Sequence, residues 1–193
     1  MKRSFDLIFA SLVILLVFPI LYPIVAIFIK LESSGPVIFK QLRTGINKRE
    51  FWCYKFRTME LNLSADTEQA KKDDARVTKF GRFLRKTSLD EFPQFINVMK
   101  GEMSVVGPRP HMIKHTDEYS RIIDKYLFRH FVAPGITGHA QVNGFRGEIT
   151  KTSKLKKRIQ YDAWYIENWS LFLDIKIILK TTWNLLKGED NAY

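Results

Sequence analysis

The hydrophobic pattern of this chain begins with one long apolar run. Residues 7–29 are 23 positions without a charge, which as a helix would extend roughly 35 Å, against about 30 Å for the hydrocarbon core of a bilayer. Pro19 and Pro23 interrupt the run four residues apart, so both remove backbone hydrogen bonds on the same helical face. The run therefore predicts a membrane-inserted segment within residues 1–33, with a break at the two prolines.

Charges on both sides of the run bear on its path. Lys2 and Arg3 precede it, and Lys30 and Lys40 follow it. Since basic residues favour the cytoplasmic side of a membrane, both ends are expected there. Two arrangements remain open, a helix that kinks at the prolines and returns, or a straight span. The length of the run, and Asp6 at its start, disfavour a cleaved signal peptide.

Shorter patterns follow. Residues 37–39 and 50–56 read as two strands around a polar turn at 45–49, which predicts a small β-hairpin. Residues 62–78 are polar and mixed in charge, which predicts a surface loop. In residues 79–86 apolar and basic side chains fall on opposite helical faces, a pattern shared by surface helices and membrane-interface helices. The nearby anchor favours the interfacial interpretation.

The remaining periodicity predicts three more helices. The first begins within residues 88–90 and ends just before Gly101, a typical helix stop. The second covers residues 117–130. The third covers residues 164–187, too charged to span a membrane but with tryptophans that suit an interface. Between them, residues 134–147 hold four of the ten glycines and predict a loop.

Composition narrows the class of partner. Among 193 residues, 31 are Lys or Arg and 20 are Asp or Glu, a formal net charge of +11. The preferred partner is therefore anionic: nucleic acid, an acidic membrane surface or a phosphorylated substrate. The high apolar content excludes a disordered chain, and the single cysteine, Cys53, excludes an internal disulfide.

Two adjacent carboxylates, Asp90 and Glu91, are the first candidates for chemistry. Acidic residues at a helix start commonly cap free amides, and that alone explains most such pairs. In the functional interpretation, the helix N-terminus keeps Asp90 ionised and nucleophilic, and stabilises a phosphoryl group on it. Glu91 would then bind Mg²⁺, which prefers carboxylate and phosphate oxygens.

An arginine between two prolines is the next candidate. The prolines of residues 108–110 restrict the backbone of Arg109, and a guanidinium suits a two-pronged hold on phosphate, although a plain loop is the alternative. Together with the carboxylates it indicates phosphoryl transfer. Two patterns are weaker: His111 and His115 have the spacing of metal ligands without a third, and the basic residues 154–158 lack a nucleic-acid motif.

Five motifs occur in order along essentially the whole chain: Lys-Arg-x-Phe-Asp at 2–6, Tyr-Lys-Phe-Arg-Thr-Met at 54–59, Thr-Ser-Leu-Asp-Glu-Phe-Pro-Gln at 87–94, Gly-Pro-Arg-Pro at 107–110 and Pro-Gly-Ile-Thr-Gly-x-Ala-Gln-Val-Asn-Gly at 134–144. Together they resemble the bacterial sugar transferases, the monotopic polyprenyl-phosphate phosphoglycosyl transferases. Three further stretches resemble the undecaprenyl-phosphate glucose or galactose phosphotransferase branch, at 146–148, 165–170 and 191–193.

The resemblance implies an α+β, mostly helical enzyme with a small β-hairpin and interfacial amphipathic helices. A re-entrant, Pro-broken anchor at residues 1–33 would precede one catalytic domain at 34–193. The implied reaction moves a hexose 1-phosphate from a UDP-sugar, UDP-glucose or UDP-galactose, to undecaprenyl phosphate and releases UMP. It would occur on the cytoplasmic face of the bacterial inner membrane and begin assembly of a polysaccharide or glycoconjugate. No nucleic acid is expected as a partner, and a homo-oligomer is allowed.

The resemblance also implies roles for individual residues. Asp90 would form a covalent phospho-aspartate, with Glu91 on Mg²⁺ and Arg109 on phosphate. Further substrate-binding positions are Lys55, Arg57, Asp162, Gly135, Gly138, Gln141 and Asn143.

Two positions depart from the family pattern. Phe18 stands where the family has Ser before the helix-breaking proline, and Pro23 is expected to compensate. His139 replaces the usual Trp of the glycine-rich motif, which changes loop packing or substrate contacts. The alternative to an enzyme is a non-catalytic, membrane-tethered basic module that binds anionic lipid or nucleic acid. Substitution of Asp90 distinguishes the two classes, because it should abolish UMP release only if the protein is the enzyme.

Overall fold

The apolar N-terminal run forms two helices rather than one. The computed structural model describes residues 1–60, 74–147 and 151–188. The run is divided between α1 and α2, which cover Lys2–Leu16 and Phe18–Glu32 and are bent by 58°. The break falls at Val17. Pro19 lies in the first turn of α2, where its missing N–H removes no intrahelical bond, and Pro23 lies inside α2 without ending it.

The two helices are short for a membrane. Each has 15 residues, about 22 Å, against about 30 Å for the hydrocarbon core. Over the described ranges no single helix has both the length and the hydropathy of a span, whereas α1 and α2 taken together do. Both helices carry exposed apolar side chains, among them Leu12, Leu15, Leu16, Ile20, Ile24 and Ile27.

The predicted β-hairpin is confirmed. β1 (Ile38–Thr44) and β2 (Glu50–Phe56) pair antiparallel over their full lengths, and β1 is longer than expected. A 3₁₀ turn joins them, in which Asn47 and Lys48 have positive φ angles of 51° and 60°. Asn tolerates this left-handed conformation better than most residues.

The carboxylate pair lies on a 3₁₀ turn of its own. Three elements follow one another here: α3, the turn and α4, at Lys79–Lys86, Leu89–Glu91 and Gln94–Lys100. The expectation of one helix starting within residues 88–90 is wrong, because Ser88 is left-handed at φ 58° and caps no amide. Pro93 then marks the start of α4. Gly101, at φ 84°, ends α4 as predicted.

A second small sheet connects distant segments. β3 (Ser104–Val106) pairs in parallel with β4 (Gly135–Thr137), and α6 (His139–Val142) follows β4. The prediction of a loop over residues 134–147 is therefore wrong in part. A three-residue strand with a remote partner, and a four-residue helix, are too short to produce a local pattern.

The helix predicted for residues 117–130 is displaced and divided. α5 covers Ile113–Ile122 and a 3₁₀ helix covers Tyr126–Phe131. Lys125, at φ 62°, separates them in the left-handed conformation. Helical periodicity alone did not reveal this single left-handed residue.

The last predicted helix is two helices. α7 (Thr152–Glu167) ends before α8 (Leu171–Lys187), and the hydroxyl of Ser170 accepts the N–H of Leu173 at 3.1 Å to cap α8. Asp174, a charged residue within the apolar pattern of residues 164–187, is fully buried.

Polar residues at the chain start fasten α1 to the rest of the protein. Lys2 Nζ lies 2.8 Å from Oδ2 of the buried Asp174. Arg3 donates to two backbone carbonyls at the end of α4, and the buried Asp6 accepts the N–H of Val105 at 3.0 Å. α1 is therefore held at its first turns by both charge and hydrogen bonds.

One buried apolar cluster joins most elements and includes Ala10, Cys53, Val98, Val106, Tyr165 and Ile177. The fold is mostly helical and α+β, as expected. The division at residues 33 and 34 stays a prediction. Residues 62–73 of the expected surface loop, and the motif residues Glu148 and 191–193, lie outside the described residues.

Candidate active site

Asp90 and Glu91 lie inside the protein, on the 3₁₀ turn between α3 and α4. Their exposed fractions are only 7% and 5%, which is unusual for carboxylates unless they are paired. The turn contacts both β2 and α3. The β-hairpin and α3 therefore set the position of the pair.

Three cationic side chains converge on Glu91 from different elements. Lys55, in β2, places Nζ 2.8 Å from Oε1. Arg109, in the loop after β3, places Nη2 2.6 Å from Oε1 and Nη1 3.3 Å from Oε2. Arg146, in the loop after α6, places Nη2 3.8 Å from Oε2. Lys55 Nζ is also 3.6 Å from Oδ2 of Asp90, so it bridges the two carboxylates.

Burial and the surrounding charges shift the pKa values of the two carboxylates in opposite directions. Burial raises the pKa of Glu91, but Arg109, Lys55 and Arg146 outweigh it and hold that pKa well below the usual range. Burial lowers the pKa of Arg109, and Glu91 outweighs this in turn, so the guanidinium stays charged. Glu91 is therefore firmly ionised.

Asp90 behaves in the opposite way. Burial raises its pKa, Lys55 opposes the rise and the neighbouring Glu91 reinforces it, with a raised pKa as the result. The 3₁₀ turn places Asp90 before α4, so burial rather than a helix N-terminus dominates its pKa. That Asp90 is ionised stays a prediction.

The backbone of Arg109 is held in place by a hydrogen bond from Arg129. Its carbonyl accepts Nη2 of Arg129 at 2.6 Å, and the same nitrogen lies 3.0 Å from Oδ2 of Asp162. Arg129 and Asp162 are both buried. Burial raises the pKa of Asp162, and Arg129 and Arg158 only partly oppose it. Asp162, expected at the substrate, thus lies one step behind Arg109 as the partner of Arg129.

The two basic residues of the strand motif, both expected at the substrate, have different partners in the structure. Lys55 reaches the carboxylates as described. Arg57 follows the end of β2, and its guanidinium donates to the backbone carbonyls of Ser33, at 2.9 Å, and of Ser34. The structure therefore places Arg57 as a clamp on the chain just after α2.

The two glycines assigned to substrate binding allow backbones to approach closely. A Cβ on Gly135 would lie 2.0 Å from the nitrogen of Gly107, and one on Gly138 would lie 2.2 Å from the oxygen of Gly107. Gly107 begins the loop that carries Arg109. These glycines therefore let β4 and α6 press against that loop.

The polar residues of the same motif also make internal contacts. Gln141 Nε2 donates to the carbonyl of Ile136 at 3.3 Å. Asn143 accepts from Lys180 Nζ at 2.8 Å, which connects the end of α6 to α8. His139, the departure from the family pattern, stacks on Trp164 with ring centroids 4.6 Å apart.

Metal ligands are few here. Within the described residues no three His, Cys, Asp or Glu side chains come together as a metal site. His111 directs Nδ1 to the hydroxyl of Tyr126, 2.7 Å away, and no third ligand joins His111 and His115 in the described part of the chain. Asp90 and Glu91 nevertheless suit Mg²⁺, which binds through one or two carboxylates and takes substrate phosphates as further ligands.

Two arginines of the site had no role assigned from the sequence. Arg146 falls within a motif, and glycines flank its loop much as prolines flank Arg109, which is the signal that could have identified it. Arg129 offers no such signal. A basic residue in a helical segment usually faces solvent, and only packing shows that this one is buried.

Comparison with known proteins shows which family and which proteins this chain is similar to. Residues 1–188 match the sequence profile of a family described as bacterial sugar transferase. The chain is 50% identical over its whole length to the UDP-glucose:undecaprenyl-phosphate glucose-1-phosphate transferase of Xanthomonas campestris pv. campestris, and covers 40% of that protein. It is 46% identical over its whole length to a protein of the same name from Caulobacter vibrioides, of which it covers 72%.

A third relative has another sugar in its name. The UDP-N-acetylgalactosamine-undecaprenyl-phosphate N-acetylgalactosaminephosphotransferase of Aeromonas hydrophila is 43% identical over 97% of this chain, which covers 44% of it. The chain thus spans about two-fifths of the length of several curated relatives that it matches.

Proposed function

The chain belongs to the bacterial sugar transferase family, and from this membership we propose that it transfers a hexose 1-phosphate from a UDP-sugar to undecaprenyl phosphate, releasing UMP. The observation that carries the proposal is the buried pair Asp90 and Glu91 facing three convergent cations. UDP-glucose and UDP-galactose are the donors proposed first, and the relative named for N-acetylgalactosamine adds a third to compare.

In the first step, a carboxylate oxygen of Asp90 attacks the sugar-bearing phosphorus of the donor. A bond forms between that oxygen and phosphorus, and the bond from phosphorus to the bridging oxygen breaks. UMP leaves with the electron pair, and Asp90 becomes a phospho-aspartate that carries the sugar. Lys55, 3.6 Å from Asp90, favours the ionised form that this attack needs.

In the second step, a phosphate oxygen of undecaprenyl phosphate attacks the same phosphorus. The acyl phosphate bond breaks, the carboxylate of Asp90 is regenerated, and undecaprenyl diphosphate hexose is released. Each step replaces one energy-rich phosphate linkage by another. The protein therefore contributes mainly position and charge neutralisation.

Lys55, Arg109 and Arg146 supply the positive charge for a donor diphosphate. In the ligand-free chain they hold Glu91, so substrate phosphate would replace a carboxylate as their partner. A partly buried guanidinium then has an anionic partner before and during the reaction, which reduces the cost of removing an isolated charge from water.

Mg²⁺ is part of the proposal, with Glu91 as its principal protein ligand and Asp90 beside it. When bound, the ion would neutralise phosphate charge during transfer. The two carboxylates provide only part of a coordination shell, in keeping with an ion that shares its ligands with the substrate.

We place the reaction at the cytoplasmic face of the bacterial inner membrane, with α1 and α2 as a re-entrant anchor. Both ends of this pair are fastened to the same body. Arg3 donates to the carbonyls of Val98 and Met99, and Glu32, at the end of α2, accepts the N–H of Phe80 at 2.9 Å. A pair held at both ends by one body enters and leaves the membrane on one side.

Asp90→Asn tests the reaction. With undecaprenyl phosphate and a panel of UDP-sugars, we expect it to abolish UMP release and the radiolabelled protein adduct formed from the donor, while binding to anionic liposomes persists. The exposed Asp117→Asn is the matched control and should retain wild-type turnover. Normal UMP release by Asp90→Asn would refute the nucleophile. A wild-type chain that binds liposomes but turns over no donor would favour the non-catalytic basic module.

A further inference from the structure

A largely apolar cavity of about 200 Å³ adjoins the carboxylate pair. Its apolar walls come from α1, the residue after the 3₁₀ turn, the start of α4, α6 and α8, and include Phe9, Phe92, Phe95, Val142, Ile178 and Leu185. Glu91 and Arg146 are the charged residues among those that line it, and they lie 3.8 Å apart. Charge is therefore concentrated at one place in an otherwise apolar space.

We propose that this cavity receives the isoprenoid chain of the acceptor, next to its phosphate, and that Arg146, once UMP has left, holds the acceptor phosphate together with Ser88. This inference rests on the proposed function and names the site of its second substrate. The isoprenoid units nearest the phosphate would occupy the cavity, and the remainder would continue into the membrane.

The lining distinguishes an isoprenoid from the sugar or the nucleotide. Several hydroxyls of the wall already have protein partners: Thr137 and Thr181 are 2.6 Å apart, and Thr182 donates to a carbonyl of its own helix. Gln141 Oε1, a buried acceptor of the wall, could take one hydroxyl of a hexose. The other hydroxyls of the sugar would cost about 1–3 kcal/mol for each left without a partner. An isoprenoid has no such groups, and its burial is favourable by about 25 cal/mol per Å².

The charged end of the cavity complements a phosphate. Arg146 Nη2 donates to the hydroxyl of Ser88 at 2.8 Å, while its 3.8 Å distance to Glu91 exceeds a hydrogen bond. The guanidinium can therefore turn to a phosphate without losing a hydrogen bond to Glu91. A phosphate held there lies beside Glu91, which Lys55 connects to the nucleophile Asp90.

Two of the helices that form the cavity wall also carry exposed apolar side chains. α8 contributes Ile178 to the wall and exposes the next residue, Leu179. α1 likewise contributes Phe9 to the wall and exposes Leu12. A chain that leaves the cavity between α1 and α8 would meet the surface proposed to face lipid.

The cavity-filling variant Leu185→Trp tests the site, with Leu186→Trp as a matched control one residue further along α8. Two rates are compared. Exchange of radiolabelled UMP into UDP-glucose requires the donor and Asp90 but no acceptor, whereas transfer requires undecaprenyl phosphate. At subsaturating acceptor, the ratio of transfer to exchange should fall about tenfold in Leu185→Trp and keep its wild-type value in Leu186→Trp. Equal ratios in the two variants would overturn the inference.

A second measurement uses the wild-type chain, so that misfolding of a variant does not decide the result. Geranyl phosphate with a diazirine on its first isoprene unit is irradiated with the protein, and the labelled peptides are sequenced. Label on Phe9 or on the cavity face of residues 178–185 supports the site, and label confined to the exposed face of α8 overturns it. A wild-type chain without UMP exchange contradicts the proposed function itself, whereas normal exchange with label elsewhere contradicts only this acceptor site.

Discussion

Arg109 and Glu91 form a two-pronged ion pair inside the protein, with Nη2 2.6 Å from Oε1 and Nη1 3.3 Å from Oε2. A guanidinium meets phosphate with this same fork geometry. In the proposed mechanism, Glu91 would therefore hold the place of a substrate anion on Arg109 and keep the side chain oriented before any substrate arrives.

Arg109→Lys should lower kcat/KM for UMP release about 100-fold, because lysine retains the charge but not the fork. Arg121→Lys makes the same chemical change at an exposed position of α5 and should leave the rate at its wild-type value. Steady-state kinetics of UMP release measures both. A loss of less than about threefold in Arg109→Lys would show that charge alone suffices.

Asp162→Asn should destabilise the fold by about 3 kcal/mol, because it leaves the buried guanidinium of Arg129 without its carboxylate. UMP release should also fall, since Arg129 holds the backbone of Arg109. The exposed Asp117→Asn should change the free energy of unfolding by less than about 0.5 kcal/mol. If Asp162 served only to contact substrate, the KM for the donor would rise while the unfolding midpoint stayed at the wild-type value.

Asp90→Asn should be more stable than the wild type near neutral pH, although inactive. Burial raises the pKa of Asp90 above its usual 3.8, so the folded protein holds this proton more tightly than the unfolded chain. The stabilising contribution of Asp90 is complete below the unfolded pKa and is lost as pH rises through the folded pKa. Asparagine does not ionise and escapes this loss.

Thermal unfolding of the two proteins between about pH 4 and pH 8 measures the effect as a difference in Tm that grows with pH. A variant less stable than the wild type at neutral pH would show that the attraction of Lys55 for Asp90 outweighs burial.

Lys2→Met should lower the free energy of unfolding by about 2–3 kcal/mol, because it removes the cation paired with the buried Asp174. The expected loss is moderate, since Tyr165 and Trp169 still donate to Asp174 at 2.6 and 3.0 Å. Lys30→Met removes an exposed lysine from α2 and should have little effect. Equal losses in the two variants would mean that the chain start is not fastened through Asp174.

Single cysteines at Ser4 and Ser34, both exposed, test the path of the anchor. A re-entrant pair should let a membrane-impermeant maleimide label both from the cytoplasmic side in inverted vesicles, and neither in intact spheroplasts. Cys53 is buried and serves as the low background. Labelling of the two positions from opposite sides would establish a straight span instead.

The sequence predicted features that depend on neighbours along the chain. The β-hairpin, the stop at Gly101 and the amphipathic α3 follow from alternation, a left-handed glycine and a helical period. The resemblance to bacterial sugar transferases is confirmed by the match over residues 1–188. The local patterns and the family resemblance both rest on the order and spacing of residues, which can be read from the sequence.

The errors share a cause. β4 exists because β3 pairs with it from another part of the chain. The separate turn before α4 follows Ser88, which is left-handed and whose hydroxyl accepts a hydrogen bond from Arg146. Neither partner is a neighbour in sequence. Periodicity within one segment therefore had no means of indicating either.

The sequence by itself determined which chemical groups are present and in what order, including two adjacent carboxylates and an arginine between prolines. Only the tertiary structure decided that Lys55, Arg109 and Arg146 meet at Glu91, that Arg57 faces away from it, and that burial raises the pKa of Asp90. The physical reason is that residue type sets the charge and reach of a side chain. Its direction, its burial and its distant partners result from the packing of the whole chain.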